Sequence, residues 1–180
     1  QSGQIQEIGF SLYTDMLKRA VDSMKNGNHI KLDEPFNTGV EINLNTPCLL
    51  PDVYVPDVHL RLILYKRIAN ANKDELIRIK IELIDRFGML PQEALYLLRM
   101  SIIKQAANSM YIKKINMNAS GGYIQFDKSS KIDIENLICM ISANDIYQMN
   151  GQHRLNFRCE LNDYEERFDF IENLLDGLSN

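Results

Sequence analysis

The chain has 180 residues, of which 45% are apolar and 24% charged, a balance that suits one domain or one domain with an appendage and excludes a disordered or fibrous chain. No apolar run approaches the roughly 18–20 residues of a membrane span. The net charge of −4 is unevenly spread: residues 1–58 carry 4 basic and 8 acidic side chains, residues 59–131 carry 13 and 6, and residues 132–180 carry 3 and 10. This acidic balance argues against a non-specific grip on nucleic acid as the main task, while the basic middle leaves open a phosphate contact or a dock against acidic protein.

In chain order, the sequence opens on Gln1 with no initiator Met and no basic-then-apolar signal pattern, which suggests an excised piece of a longer protein. Residues 5–25 read as a helix, with Ile5, Ile8, Leu12, Met16 and Ala20 at three- and four-residue steps, and Asn26-Gly27-Asn28 as its stop. Residues 28–39 have no steady period and read as a linker. Val40, Ile42 and Leu44 alternate with polar residues, as in a half-buried strand. Prolines then punctuate a loop with one short extended piece, Val53-Tyr54-Val55.

Three helices follow. The first, from about Asp57 to Asn70, sets Leu60, Leu64 and Ile68 on one face with Ile63 beside it. The second starts at the cap Asn72, with Glu75 three residues on, and ends at Gly88. The third opens at Pro91 and runs to about Met110, with Leu95, Leu98, Ile102 and Ala106 as its stripe and Ala94, Leu97 and Ile103 flanking.

The period then changes. Tyr111 to Met117 reads as a strand, residues 118–122 as a turn, and Tyr123 to Phe126 as the hairpin mate. A helix over about 130–143 turns Ile134, Leu137, Ile138 and Ile141 inward. Asn150-Gly151, the dipeptide favoured in type I′ turns, joins a strand over 145–149 to one carrying Leu155, Phe157 and Cys159. Asn162 and Glu165 open the last helix, Phe168, Ile171 and Leu175 face inward, and Gly177 ends it. The expected fold is α+β: a helical N-terminal appendage with its linker over 1–39, then a helix-rich domain over 40–180 with a short, mainly antiparallel sheet.

The motifs of catalysis are missing. There is no phosphate-binding glycine loop, no nucleophile elbow and no metal-binding helix, so no catalytic residue, metal or cofactor is expected in this chain. The histidines stand far apart, whereas a metal site needs three or four convergent ligands. The three widely spaced cysteines suggest neither a disulfide framework nor a zinc knuckle and fit a reducing cytoplasm. Cys139 and Cys159 read as small hydrophobes, and Cys48, between prolines, as the exposed one. Lys113, Lys114, Lys128 and Lys131 could touch phosphates, but no aromatic platform interleaves with them.

The second of the three helices carries the sharpest pattern. Glu75, Arg78, Glu82 and Asp85, with Arg86 beside, form one charged ridge. Leu76, Ile79, Leu83 and Phe87 take the opposite stripe, and Ile77, Ile81 and Ile84 a third. Spacing alone favours a solvated face with weak internal pairs, Arg78 to Glu82 among them, over a docking ridge.

Several blocks resemble the bacterial transcription-repair coupling factors. Gln1-Ser2-Gly3 with Ile8-Gly9-Phe10-Ser11-Leu12-Tyr13 is similar to the end of that family's translocation motif. Leu49-Leu50-Pro51, Tyr54-Val55-Pro56-Asp57-Val58 and Tyr65-Lys66-Arg67-Ile68-Ala69 resemble the opening of its C-terminal domain, and Glu82 to Gly88 with Leu90-Pro91 its most recognisable block. The resemblance implies a cytoplasmic, ATP-driven double-stranded-DNA translocase that acts on stalled RNA polymerase and recruits the damage-recognition ATPase of nucleotide excision repair. ATP and Mg would bind in a motor upstream of Gln1, and this chain would be a non-catalytic, autoinhibitory C-terminal domain. It would dock on the protein's own N-terminal excision-repair-like module through Glu82, Asp85 and Arg86, masking the surface that recruits that ATPase. The alternative is a nucleic-acid or polymerase contact module using residues 59–131. No membrane partner is expected.

Overall fold

The computed structural model describes residues 39–179. The expected appendage over 1–38, with Gln1, Ser2 and Gly3, lies outside the described residues. Those described divide into two compact units, residues 47–101 and residues 39–46 with 102–179. They comprise β1 (Glu41–Asn43), α1 (Val58–Asn70), α2 (Lys73–Phe87), α3 (Gln92–Ser109), β2 (Ile112–Asn118), β3 (Gly121–Phe126), α4 (Ile134–Ala143), β4 (Tyr147–Met149), β5 (Arg154–Phe157) and α5 (Tyr164–Leu178). The class is α+β, as expected. The boundary between the units falls inside α3, after Ser101.

The unit over 47–101 is helical. Asp57 caps α1 by accepting from the Leu60 amide at 3.0 Å, which holds its carboxyl below the ordinary range. Asn72 and Glu75 close a capping box at the start of α2. Gly88, at φ +84°, ends α2 in a conformation that favours glycine. Leu64 and Ile68 of α1 and Leu76, Ile79 and Leu83 of α2 are buried. The Ser101 hydroxyl donates to the Ile68 carbonyl at 2.9 Å inside this core.

Three expectations fail here. Val53-Tyr54-Val55 is not extended: the amides of Tyr54 and Val55 both donate to the Pro51 carbonyl, making a turn. Ile63 is exposed, because burial on α1 centres on Leu64 and Ile68, about 100° from Ile63 in the case of its neighbour. On α3 the buried residues include Ala94, Leu97, Leu98, Ser101, Ile103 and Ala107, while Leu95, Ile102 and Ala106 are half-buried. This helix is apolar nearly all round, so spacing cannot single out one stripe.

The second unit carries one sheet, in the order β1-β2-β3-β5-β4. β1 runs parallel to β2 and the other pairs are antiparallel. Ala119-Ser120 makes the turn between β2 and β3, and the glycines lie in the strand rather than the turn. Gly121 sits at φ +122°, and a Cβ there would strike the Phe157 carbonyl of β5. A Cβ on Gly122 would strike Asn116 and Met117 of β2. Strands pack this closely only where a side chain is missing.

β1 has three residues and is held by side chains at both ends. The Val40 amide donates to Asn108 Oδ1 at 3.1 Å, and Asn45 Nδ2 donates to the Met117 carbonyl at 2.9 Å. Arg167 of α5 is buried, and its guanidinium donates to the carbonyls of Leu161 (2.9 Å), Asn45 (2.7 Å) and Leu44 (3.3 Å). Four carbon-rich residues of α5 on the same side, Phe168, Ile171, Leu174 and Leu175, are buried with it.

Other expectations are corrected in this unit. The Asn150-Gly151 hairpin is not a two-residue turn. The Asn150 amide donates to the Arg154 carbonyl at 2.7 Å, which leaves Gly151, Gln152 and His153 as the loop. The His153 carbonyl is taken by the Phe126 amide of β3 at 2.8 Å, which draws the loop out. The cap of α5 is Asp163 with Glu166, one residue later than Asn162 and Glu165. Gly177 lies within α5, which continues to the buried Leu178. On α4 burial centres on Leu137; Ile134, Ile138 and Cys139 are exposed because the apolar arc is wider than the contact. Cys48, in the other unit, is not the exposed cysteine: burial pushes its thiol up to about 12.

Two predictions follow from this packing. Arg167→Ala should lower unfolding stability by about 2–4 kcal/mol, since charged hydrogen bonds to buried carbonyls are lost. Arg167→Lys should recover only part, because one ammonium cannot serve carbonyls on two sides. Denaturant unfolding measures both, and a loss under about 1 kcal/mol for the alanine variant would show that water satisfies those carbonyls. In a timed alkylation at neutral pH, mass mapping should find Cys139 modified first and Cys48 last, because the thiolate is the reactive form.

Candidate functional site

The charged ridge stands on α2, in the unit over 47–101. On a helix advancing about 100° per residue, Glu82 lies between Asp85 and Arg86, and the three span about 100° of the surface. Leu76, Ile79 and Leu83, on the arc next to Arg86, are buried in the core. Ile77, Ile81 and Ile84 are 53%, 62% and 37% exposed, so the third apolar stripe borders the ridge in solvent.

Glu82 is the centre of the ridge, with two partners. Arg67 of α1 grips it with two parallel bonds, Nη1 to Oε1 at 3.1 Å and Nη2 to Oε2 at 2.8 Å. Arg86, one turn on, donates Nη1 to Oε1 at 3.0 Å. Arg67 first, then Arg86, hold the Glu82 carboxyl below its usual range, and Glu82 raises Arg67 in return. The expected Arg78 to Glu82 pair does not form. Arg86 also lies over the Phe87 ring, 5.2 Å from its centroid. Below it, the Tyr54 hydroxyl is within hydrogen-bond reach of the Leu83 and Gly88 carbonyls, at 3.0 and 2.9 Å, and steadies the end of α2. Among the described residues, no ion pair or hydrogen bond reaches the Asp85 side chain.

The structure therefore brings Glu82 and Arg86 into direct contact and leaves Asp85 free beside them. Arg67 is the residue that sequence reasoning missed as a member of this group. It stands 15 residues away on another helix, and helical spacing reports only neighbours on the same one.

The basic segment offers less free charge than its sequence implies. Lys113 pairs with Asp127 at 3.0 Å and Lys114 with Glu41 at 2.7 Å. Asp127 is held well below the carboxylate range, by Ser129 first and then Lys113. Lys131 sits over the Tyr111 ring, 4.9 Å from its centroid. Among the described residues, no group of three His, Cys, Asp or Glu side chains could hold a metal ion. No helix of the described residues is long and apolar enough to cross a membrane.

The Glu82 clasp has a definite pH dependence. Its folded pKa is lowered, so its stabilisation is present above the unfolded glutamate pKa, about 4.3, and is lost as pH falls through the lowered value. Thermal unfolding of the wild type and Glu82→Gln should therefore differ at neutral pH and converge in acid. A constant gap from neutral to strongly acid pH would show that the carboxylate charge is not what holds the two helices.

Residues 44–137, just over half of the chain, match the TRCF domain family. The transcription-repair-coupling factors of Haemophilus influenzae and Escherichia coli are each 38% identical to it over 177 residues. These alignments cover 97% of this chain and 15% of each relative, so the chain spans a small part of their length. The relative from Rickettsia bellii is 40% identical over 131 residues, covering 72% of this chain and 11% of that protein. In three dimensions the chain is similar to the crystal structure of a C-terminal domain of transcription-repair coupling factor. The TM-score is 0.65 at 24% identity, over 78% of this chain and 94% of that one. That likeness agrees in fold with what the sequence match establishes, that the chain belongs to the TRCF domain family.

Proposed function

We propose that this chain is the non-catalytic, autoinhibitory C-terminal domain of an ATP-dependent DNA translocase that couples transcription to nucleotide excision repair. Its ridge of Glu82, Asp85 and Arg86 is the latch. The ridge docks on the N-terminal excision-repair-like module of the same protein and masks the surface that recruits the damage-recognition ATPase. In this reading the full-length protein is cytoplasmic, hydrolyses ATP with Mg in an upstream motor, moves on double-stranded DNA and acts on RNA polymerase. Gln1, Ser2 and Gly3 are the remnant of its translocation motif, residues 1–39 link that motif to the regulatory domain, and residues 40–180 form the domain.

One observation carries the reading: an unpaired Asp85 stands beside a pre-aligned Glu82 and Arg86, with exposed isoleucines along the border. Preorganised charge lowers the ordering cost of docking, and bordering apolar surface supplies area that leaves water on contact. The second reading, a nucleic-acid or polymerase contact through residues 59–131, is weakened where Lys113 and Lys114 are already paired. A phosphate binder would lose affinity steeply with salt, and a docking ridge less.

The test is Asp85→Ala with Arg86→Ala, alone and with Glu82→Ala. In the isolated chain the pair should change stability by about 0.5 kcal/mol or less. Adding Glu82→Ala should cost up to about 1 kcal/mol more, since the clasp to Arg67 is exposed. In the full-length protein either set should weaken contact with the N-terminal module by about tenfold or more, and binding of the damage-recognition ATPase should rise. Unaltered recruitment by a well-folded full-length variant would place the latch elsewhere.

A further inference from the structure

We infer that the groove between α1 and α2 is a second docking site, one that takes an acidic peptide segment of a protein partner. This goes beyond the latch: it uses the N-terminal part of the same ridge, Glu75 and Arg78, with Lys66 and Arg67 of α1, and none of its test variants touches Glu82, Asp85 or Arg86. The groove has a volume of about 670 Å³ and is lined by Ile63, Lys66, Arg67, Arg78 and Ile79, among others. It is an open depression on the surface of the two helices, shaped for an extended segment rather than an enclosed small molecule.

Charge complementarity identifies the occupant. Three of the lining residues are cations and one, Glu75, is an acid. Glu75 is already engaged, since its Oε2 accepts from the Asn72 amide at 2.9 Å in the capping box. Arg67 is engaged as well, by Glu82. Lys66 and Arg78 make no ion pair among the described residues and stand free on the rim. The floor is apolar: Ile79 is 3% exposed, and Ile63 is 55% exposed on a helix whose other isoleucine is fully buried. Two free cations around an apolar floor suit a segment that places carboxylates beside an aliphatic side chain.

A phosphate polymer fits less well. No aromatic side chain lines the groove, so bases find no stacking platform. Glu75 and the neighbouring Glu82 would repel a phosphate backbone that extended along the seam, whereas a peptide can place a neutral or basic residue there.

The experiment uses this chain and fluorescence anisotropy. The probes are a fluorescein-labelled peptide of alternating acidic residues and leucine, the same peptide with lysine for each acid, and single-stranded and duplex oligonucleotides. The acidic peptide should bind and the lysine peptide should not. Lys66→Glu with Arg78→Glu should weaken binding by about tenfold or more. Ile63→Ser should also weaken it, severalfold, which a diffuse attraction between charges would not show. These side chains are exposed and outside the core, and circular dichroism and thermal unfolding verify that each variant is folded. Absence of acidic-peptide binding, binding untouched by either variant, or oligonucleotides bound more tightly than the peptide would each overturn the proposal.

Discussion

Glu82 accepts from Arg67 on one side and Arg86 on the other, and this sharing governs what the surface of the helical unit can offer. A carboxylate gripped by a two-pronged arginine on a neighbouring helix is fixed in direction. It ties α1 to α2 at the solvent edge of the seam, beside the buried Leu64, Ile68, Ile79 and Leu83. The pair is exposed, so its contribution to stability is modest, at most about 1 kcal/mol. Its larger effect is on geometry. With Glu82 held, Arg86 is held too, and the two charges stand already ordered at the surface. Among the described residues, Arg78 and Asp85 are the ridge members with their charge uncommitted.

The other unit rests on a different solution to a similar problem. β1 is too short to hold itself, with three residues in a parallel pairing. Arg167 supplies what the strand lacks, by placing a charged donor among the carbonyls that follow it. A guanidinium can do this without an acid partner because it offers five donors and stays charged. Gly121 and Gly122 serve the same sheet from its centre, by letting β3 lie closely between β2 and β5. A charged residue and two glycines, neither of which looks like core material in sequence, therefore help to hold β1 in place and to let β3 lie close to its neighbours.

Much of this was legible beforehand, and the misses have physical reasons. The capping box at Asn72 and Glu75 was readable because it is local: four residues contain both hydrogen bonds. The Asp163 cap was missed by one residue because Asn162 with Glu165 and Asp163 with Glu166 match the same pattern, and only packing chooses between them. The Asn150-Gly151 loop was misjudged because a distant amide, Phe126, takes the His153 carbonyl. Apolar arcs on α1 and α4 were read as wider contacts than they are, since periodicity locates an apolar face without giving its width. In the candidate site, the ridge residues and the Glu82 to Arg86 pair lie at helical spacing and could be found. Arg67, Arg167 and the groove could not, because each depends on residues brought together from separate helices or loops.

The seam between α1 and α2 has one further property that bears on its partners. Among the described residues its uncommitted charges differ along its length: Lys66 and Arg78 are free at the groove, and Asp85 is free about 10 Å along the helix from Arg78. A long polymer of one sign laid along the whole seam satisfies one end and is repelled at the other, whereas a short acidic segment can sit at the groove alone. A folded protein surface, with acidic and basic groups at fixed positions, can satisfy both, and the exposed isoleucines between them reward contact that excludes water. Mixed charge of this kind contributes more to the choice of partner and orientation than to raw affinity.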